Sequence, residues 1–367
     1  MKAFIKLLPL LVLVSVLFGC KNQKQTSQHE ALRAQIDSVL LTVPDFSGVV
    51  LVASNGKHIY HKAFGYRNVE SKVPLDTTDI FELASVSKQF TAMVIMMLKE
   101  DGKLNYDDPL EKYLPELPYP NITIRHLLTH TSGLPDYQAI MDQHWDKSKV
   151  AGNEDILTYL IKYQPPVLFL PGEKYEYSNT GYVLLGSIAE KASGQDFIAL
   201  CREEIFHPLK MESTDIRSSE EKKAIENFAL GHIFVEEKQR YVRADSFPSS
   251  NYTIWLGNRK GPGRISSTST DLLLWDRALY KSELVNDQTL LEAYTPMKLT
   301  NDSLSYYGFG WMLNKNNPHI VFHTGDNPGY KTKIVRVTDQ DKTLIILCNN
   351  AHAKFASISD TLESMLD

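Results

Sequence analysis

The chain has 367 residues, of which 43% are hydrophobic and 23% are charged, a composition that excludes a disordered or fibrous protein. At ~150 residues per domain, this length fits two lobes or one large α/β unit. Thirty-nine basic and 44 acidic residues give a net charge of −5 without a basic cluster, which argues against electrostatic nucleic-acid binding.

The first twenty residues have the pattern of an export signal. Lys2 and Lys6 form a positive segment, and the apolar run at 7–18 is too short to cross a hydrocarbon core of ~30 Å. A buried core helix is the alternative, but the basic flank at the N-terminus favours export. The end of this run, Leu17-Phe18-Gly19-Cys20, resembles the lipobox of bacterial lipoproteins, in which the cysteine is lipidated, with ordinary secretion as the alternative.

These features predict a lipoprotein signal peptide at 1–19, a polar tether at 20–30 and a folded unit at 31–367. The expected location is the bacterial cell envelope on its periplasmic side, with the protein exported and held to the membrane by a lipid on Cys20. Two other cysteines, Cys201 and Cys348, lie in the folded unit. Export permits a disulfide, but their separate helical and strand-like surroundings favour two buried free thiols.

The first part of the folded unit predicts two helices and a hairpin. Apolar residues at helical spacing indicate a helix over 30–42. Residues 48–53 and 58–63 are typical of two strands joined by a turn at Asn55-Gly56. The segment from about Ser85 to Leu98 is apolar almost all round, which predicts a helix buried on every side.

The remainder predicts a helical middle and a return to strands. Residues 103–262 carry mixed helix and loop patterns. Strands are predicted at 308–313, 320–323, 330–337 and 343–348, followed by an amphipathic helix at about 354–366. This order predicts an α+β fold, in which one antiparallel sheet is built from both chain ends and flanked by helices, with a mostly helical lobe inserted at about 103–262.

A Ser-x-x-Lys pattern, Ser85 to Lys88, opens the predicted buried helix. The same spacing occurs at Ser54…Lys57 in the hairpin turn and at Ser219…Lys222 in a charged run, so the context singles out Ser85. At i and i+3 the hydroxyl and the amine share one face, and the helix N-terminus offers N–H groups to an oxyanion. Burial lowers the pKa of a lysine, which would suit a base. The alternative is a lysine that reaches water beside a capping serine.

Two further patterns carry polar groups suited to a cleft. Tyr177-Ser178-Asn179 precedes a helix, where a phenol can relay protons and an amide can bind a substrate amide. His323-Thr324-Gly325 ends a strand, and a glycine there lets a ligand backbone approach closely. Taken alone, the first of these patterns favours ordinary loop structure. The alternative for His323 is a hydrogen-bonded histidine at a strand end.

The three patterns together resemble the penicillin-recognising serine hydrolases, which include class C β-lactamases, D-alanyl-D-alanine carboxypeptidases and related esterases. They occur in that superfamily's order, about 90 and about 145 residues apart, and the resemblance covers about 30–367. Further segments similar to this superfamily are Phe46–Val50, Phe81–Phe90, Leu127–Pro135, Gly263–Thr268, Asp271–Trp275 and Tyr307–Trp311.

The resemblance implies a role for each residue of the first two patterns. Ser85 would be the nucleophile that forms an acyl-enzyme. Lys88 and Tyr177 would transfer the protons, with the division of the base role between them left open. Asn179 would hold the acyl-side amide of the substrate.

For the third pattern, the resemblance implies a substrate-binding wall at the sheet edge. His323, Thr324 and Gly325 would form it, with Thr324 near a substrate carboxylate. The oxyanion hole would use the backbone N–H groups of Ser85 and Asp326. Two departures argue against efficient β-lactam hydrolysis. His323 replaces the lysine of class C β-lactamases with a mostly neutral imidazole, and Asp326 adds a negative charge beside the proposed oxyanion hole.

The sequence therefore predicts a serine hydrolase that cleaves an ester or amide through an acyl-enzyme, carboxypeptidase-like or esterase-like, with a D-alanyl peptide as one candidate substrate. The alternatives are a weak β-lactamase and an envelope lipoprotein that binds a ligand with the same fold without turnover. No cofactor, metal or nucleic acid is expected, since zinc-protease, phosphate-loop and dinucleotide patterns are missing from the sequence. The expected partners are a small-molecule or peptide substrate and the membrane.

Overall fold

The computed structural model describes residues 26–247 and 251–366. The expected signal peptide at 1–19, the expected lipid site at Cys20 and the first part of the expected tether lie outside these residues. The last part of that tether, from 26 to 30, belongs to helix α1 (26–41). Among the described residues, no helix is both long and apolar enough to span a bilayer.

The strands of the described chain form one large sheet and several small ones. In chain order they are β1 (Gly48–Ser54), β2 (Lys57–Phe64), β3 (Tyr66–Asn68), β4 (Val73–Pro74), β5 (Phe81–Glu82), β6 (Asp215–Ile216), β7 (His232–Val235), β8 (Arg240–Arg243), β9 (Ile265–Ser267), β10 (Met297–Lys298), β11 (Leu304–Ser305), β12 (Met312–Leu313), β13 (Ile320–Asn327), β14 (Tyr330–Val337) and β15 (Lys342–Cys348).

The helices occupy mainly the middle of the chain and its two ends. After α1 they are α2 (Lys88–Glu100), α3 (Ile124–Leu128), α4 (Tyr137–His144), α5 (Asn153–Tyr163), α6 (Asn179–Ser193), α7 (Phe197–Cys201), α8 (Ser219–Lys223), α9 (Tyr252–Trp255), α10 (Ser269–Lys281), α11 (Asp287–Ala293) and α12 (Phe355–Glu363).

The large sheet is assembled from both chain ends, as predicted. Its strand order is β12-β13-β14-β15-β1-β2, and β1 pairs antiparallel with β15. The β1–β2 connection contains Asn55 at φ 50° and Gly56 at φ 69°, the positive φ values that a tight hairpin turn requires. This pairing confirms the predicted α+β fold with an antiparallel sheet.

Both faces of the sheet are covered, which explains why β1 is apolar without alternation. Val50 and Val52 face a cluster that includes side chains of α1 and α12. Val49 and Leu51 face the larger core, which contains α2, α6 and α10. The middle of the chain is mostly helical, but it also contributes β6 to the small sheet β5-β9-β6 and the hairpin β7-β8.

The structure differs from the sequence prediction in several element bounds. The helix expected from Ser85 begins as a 3-10 turn, Ala84–Ser87, which α2 then continues. The strand expected at 308–313 is reduced to β12, because Gly310 adopts φ 76°, outside the extended region. Cys201 and Cys348 are both buried and free, which confirms the prediction for the two thiols.

Candidate active site

Ser85 is presented by a strained turn that packs against the large sheet. Ala84 adopts φ 49°, a conformation that is unfavourable for a residue with a Cβ and is often found at functional sites. Thr332 donates its hydroxyl proton to Leu83 O at 2.8 Å. A Cβ at Gly325 would lie 2.3 Å from that same oxygen. Gly325 therefore lets the chain's own backbone approach closely and position the Ser85 turn, and the approach of a ligand backbone stays a prediction.

Lys88 is the buried centre of the site, so the alternative in which it reaches water is wrong. Its Nζ lies 3.2 Å from Ser85 Oγ. The same nitrogen donates to Asn179 Oδ1 at 2.8 Å and to Pro262 O at 2.9 Å. Helices α2 and α6 and the loop before β9 thus bring Ser85, Lys88 and Asn179 together.

The surroundings of Lys88 disfavour its charged form. Burial holds the pKa of Lys88 well below its usual value, and the positive charge of Arg259 lowers it further. No carboxylate of the described residues forms an ion pair with Lys88, whose three polar neighbours are a hydroxyl, an amide and a carbonyl. A neutral amine beside a serine hydroxyl is the arrangement required for a general base.

Tyr177 also lies against this amine. Its ring centroid is 4.7 Å from Lys88 Nζ. Burial raises the pKa of Tyr177, an effect that the nearby Ser85 hydroxyl partly opposes. The Tyr177 hydroxyl lies near Ser85 but forms no hydrogen bond within the described parts of the chain. A buried hydroxyl in this state is available to a bound molecule.

His323 is directed into the protein. It is fully buried, and burial is the main cause that lowers its pKa to about 3. The neutral ring donates from Nδ1 to Thr324 O at 2.6 Å, which leaves Nε2 to accept from the Tyr307 hydroxyl at 2.8 Å. Both ring nitrogens are therefore used within the protein.

Asp326 lies at the rim. Its side chain is 71% exposed and forms an ion pair of 2.8 Å with Lys331. The negative charge expected beside the proposed oxyanion hole is thus exposed to water and balanced by a cation on the neighbouring strand β14.

The structure adds residues to which the sequence analysis gave no role. His130 follows α3 in a loop and is buried, and its Nδ1 accepts the backbone N–H of Ser178 at 3.0 Å. Its ring lies 4.3 Å from Tyr177 and 4.4 Å from Tyr307. His130 and Tyr307 both fall in segments that resemble the superfamily, which was the available signal. In the part of the chain that the structure describes, no His, Cys, Asp and Glu group could hold a metal ion.

Comparison with known proteins agrees with this geometry. A profile of the family described as Beta-lactamase matches residues 39–363. Penicillin-binding protein 4* of Bacillus subtilis (strain 168) is 42% identical over 310 residues, which are 83% of this chain and 68% of that protein. D-aminopeptidase of Gluconobacter oxydans (strain 621H) is 23% identical over 336 residues, which are 91% of this chain and 62% of that protein.

The fold is similarly matched by solved structures. The octameric penicillin-binding protein homologue from Pyrococcus abyssi superposes with a TM-score of 0.76 and 26% identity, covering 92% of this chain and 77% of that one. The D-aminopeptidase match leaves more than a third of that relative uncovered. The profile match and the 42% identity nevertheless extend over most of the present chain. The chain therefore belongs to the beta-lactamase family, within the penicillin-recognising serine hydrolase superfamily.

Proposed function

We propose that the protein is a serine hydrolase that forms an acyl-enzyme on Ser85 and cleaves an amide or ester next to a D-configured residue. The observation that carries the proposal is the distance of 3.2 Å between Ser85 Oγ and the fully buried amine of Lys88. The substrate class is supported by the names of two relatives, a penicillin-binding protein and a D-aminopeptidase.

The hydrogen bonds of Lys88 fit a base. A neutral amine has two N–H donors and one lone pair. The carbonyl oxygens of Asn179 and Pro262 occupy the two donors, which leaves the lone pair for the proton of the Ser85 hydroxyl. Lys88 would take this proton as Ser85 Oγ attacks the substrate carbonyl.

Tyr177 is suited to the opposite proton transfer. Its raised pKa keeps the phenol protonated at neutral pH, so it would donate a proton to the leaving group rather than begin as the base. The Lys88 ammonium formed in the first step would then restore that proton to the phenol, whose ring centroid lies 4.7 Å from Lys88 Nζ. In this assignment Lys88 is the base for acylation and Tyr177 the acid.

The remaining predicted roles complete the proposal. The backbone N–H groups of Ser85 and Asp326 would bind the oxyanion, and Thr324 would contact the leaving side of the substrate. Because the neutral His323 ring is bonded to Tyr307 and Thr324, it would supply no charge for an anionic β-lactam. We therefore propose a carboxypeptidase-like or esterase-like activity in preference to β-lactam hydrolysis.

Labelling with a fluorophosphonate or a fluorescent penicillin tests the nucleophile. We expect one modified peptide containing Ser85, identified by mass spectrometry, and loss of labelling in Ser85→Ala. Ser219→Ala is the matched control, because Ser219 and Lys222 have the same spacing on α8 and should leave labelling unchanged. Undiminished labelling of Ser85→Ala would contradict the proposal.

A second measurement distinguishes the proposed hydrolase from a protein that binds a ligand without turnover. Hydrolysis of ester and amide derivatives of N-acyl-D-alanine should follow the labelling and disappear in Ser85→Ala. Ligand binding without hydrolysis in the wild type would favour the binding protein.

Export and lipid attachment at Cys20 stay predictions of the sequence. Incorporation of labelled palmitate into the wild type but not into Cys20→Ser would test them.

A further inference from the structure

A second buried cation, Arg259, acts electrostatically on Lys88, and its guanidinium lies 5.8 Å from the ring centroid of Tyr252 rather than against a carboxylate. Arg259 is 8% exposed. Its Nη1 donates to the Tyr137 hydroxyl at 3.2 Å, and its Nε–H is buried without a partner in the described ranges. Within those ranges the guanidinium forms no ion pair.

The lack of a carboxylate partner is unusual for a buried guanidinium. Arg336, at 1% exposure, donates to the buried Asp276 at 2.6 Å. Lys88 avoids a buried charge because its environment favours the neutral amine, but an arginine remains charged in a protein. A buried, unpaired charge is costly, so a negatively charged ligand group beside Arg259 would remove that cost.

The loop that carries Arg259 is fixed to the catalytic helices. Pro262 O accepts from Lys88 and Gly261 O accepts from the Thr91 hydroxyl at 2.7 Å. Gly261 adopts φ 105°, and a Cβ there would lie 2.0 Å from Tyr182 O. The loop is thus packed directly on α2 and α6, and Arg259 precedes these contacts by only two residues.

The partner of Arg259, Tyr137, is bonded through its backbone to the start of α6. The backbone N–H of Tyr137 donates to the hydroxyl of Thr180 at 3.0 Å, and Thr180 follows Asn179 in α6. This connection favours the acyl part of the substrate, the part that Asn179 would hold, as the ligand of Arg259.

A cavity lies beside the loop that carries Arg259, although Arg259 itself does not line it. Its volume is about 320 Å³, and its lining includes Ile254, Gly257 and Asn258 of the same loop region, Asn327 at the end of β13, and the acidic residues Glu82 and Asp245. Because Nη1 donates to the Tyr137 hydroxyl, the edge of the guanidinium formed by Nε and Nη2 remains for a ligand. That edge presents two parallel N–H donors, which match the two oxygens of a carboxylate.

We propose that Arg259 and Tyr137 form a subsite for a carboxylate on the acyl part of the substrate, the part that remains bonded to Ser85 after the leaving group has gone. The subsite rests on the proposed acyl-enzyme function and adds a substrate class to it: acyl-D-amino acid derivatives with a negatively charged acyl chain. It is separate from the leaving-side contact proposed for Thr324.

A pair of substrates of equal shape tests the subsite. The p-nitrophenyl esters of N-succinyl-D-alanine and N-succinamoyl-D-alanine differ by a carboxylate and a carboxamide on the acyl part. We expect the wild type to prefer the carboxylate in kcat/KM by roughly tenfold or more, because hydrogen bonds to charged groups exceed neutral ones by about that factor. Arg259→Met should reduce the ratio to about one, and Arg259→Lys should retain part of it.

Two controls make the result specific. Lys260→Met removes the adjacent cation, which is paired with Glu190 and with Asp196 at 2.9 Å, and should keep the wild-type ratio. Both esters are measured at one pH. A change in the protonation of Lys88 therefore alters both kcat/KM values by the same factor and cancels in their ratio. A wild-type ratio near one, or an Arg259→Met variant that lowers both esters equally, would overturn the subsite.

The subsite and the acyl-enzyme fail in different ways. If Ser85 is not labelled and neither ester is hydrolysed, the acyl-enzyme proposal has failed. The subsite is then read by calorimetric titration of the wild type and Arg259→Met with N-succinyl-D-alaninamide and N-succinamoyl-D-alaninamide. Preferential binding of the carboxylate compound by the wild type, lost in Arg259→Met, supports the subsite. Equal binding of both compounds by the wild type overturns it, even if Arg259→Met does not fold.

Discussion

At the scale of single residues, the site depends on how two buried cations are accommodated. Lys88 has no carboxylate neighbour, and its pKa lies well below its usual value because of burial and the charge of Arg259. Arg259 stays charged, because a guanidinium is not deprotonated in a protein. A buried lysine whose charged form is disfavoured lowers stability, since an apolar side chain of similar length would avoid the desolvation cost. Its place beside Ser85 therefore supports the proposed base role.

The pH dependence of acylation should report the neutral form of Lys88. As pH rises through the pKa of Lys88, the amine loses its proton and gains base activity, so kcat/KM should rise with pH and level off well below pH 10.5. Arg259→Met removes a positive charge that lowers this pKa, so its rise should move to higher pH. The measurement is the pH profile of kcat/KM with the uncharged succinamoyl ester.

The paired cation Lys260 provides the comparison for this profile. Lys260→Met should leave the rise where it is in the wild type, since Arg259 and not Lys260 lowers the pKa of Lys88. A rise in Arg259→Met that stays in place or moves to lower pH would show that another group controls the reaction.

At the scale of elements, the position of Ser85 depends on the contact between its turn and strand β13. Gly325 approaches Leu83 O so closely that a Cβ would lie 2.3 Å from it and 2.2 Å from Thr332 Oγ1. Leu83 O and Thr332 Oγ1 are the two atoms of the hydrogen bond that holds the turn. The His-Thr-Gly pattern thus has an architectural role that is independent of any ligand.

Gly325→Ala should therefore displace the Ser85 turn. We expect a loss of about 1–3 kcal/mol in the free energy of unfolding, the usual cost of overpacking, and a larger proportional loss of fluorophosphonate labelling. Gly263→Ala is the matched control, because its Cβ would meet Ala84 O at an ordinary 3.7 Å. Equal stability and labelling of Gly325→Ala and Gly263→Ala would contradict this account.

Local patterns predicted those parts of the fold and site that depend on neighbouring residues. Asn55-Gly56 sets its own turn, and the continuous apolar run after Ser85 identifies α2 as buried. The 3-10 turn at Ala84–Ser87 was missed because strand β13 and Thr332 hold it from far along the chain. Arg259 carries no local pattern, and its proximity to the site arises only when its loop packs on α2 and α6.

At the scale of the whole molecule, the catalytic unit is held together where the chain ends meet the middle. Asn349, fully buried after β15, accepts the hydroxyl proton of Ser47 at 2.8 Å. Its Nδ2 donates to Tyr66 O at 3.0 Å and to Leu230 O at 2.9 Å. One side chain therefore joins the N-terminal strands, the C-terminal strand and the segment that leads into β7.

Replacing this junction should weaken the protein as a whole. Asn349→Leu keeps the branched shape of the side chain but leaves Leu230 O without the amide donor, whereas the Ser47 hydroxyl can still donate to Tyr66 O at 3.1 Å. An unsatisfied buried group costs about 1–3 kcal/mol, so urea denaturation should show a loss of about 1–3 kcal/mol in the free energy of unfolding. Asn301→Ala, which removes only local bonds to Ser303 at an exposed turn, should change it by less than about 0.5 kcal/mol. A similar small change in both variants would mean that the two chain ends are held to the middle by apolar packing alone.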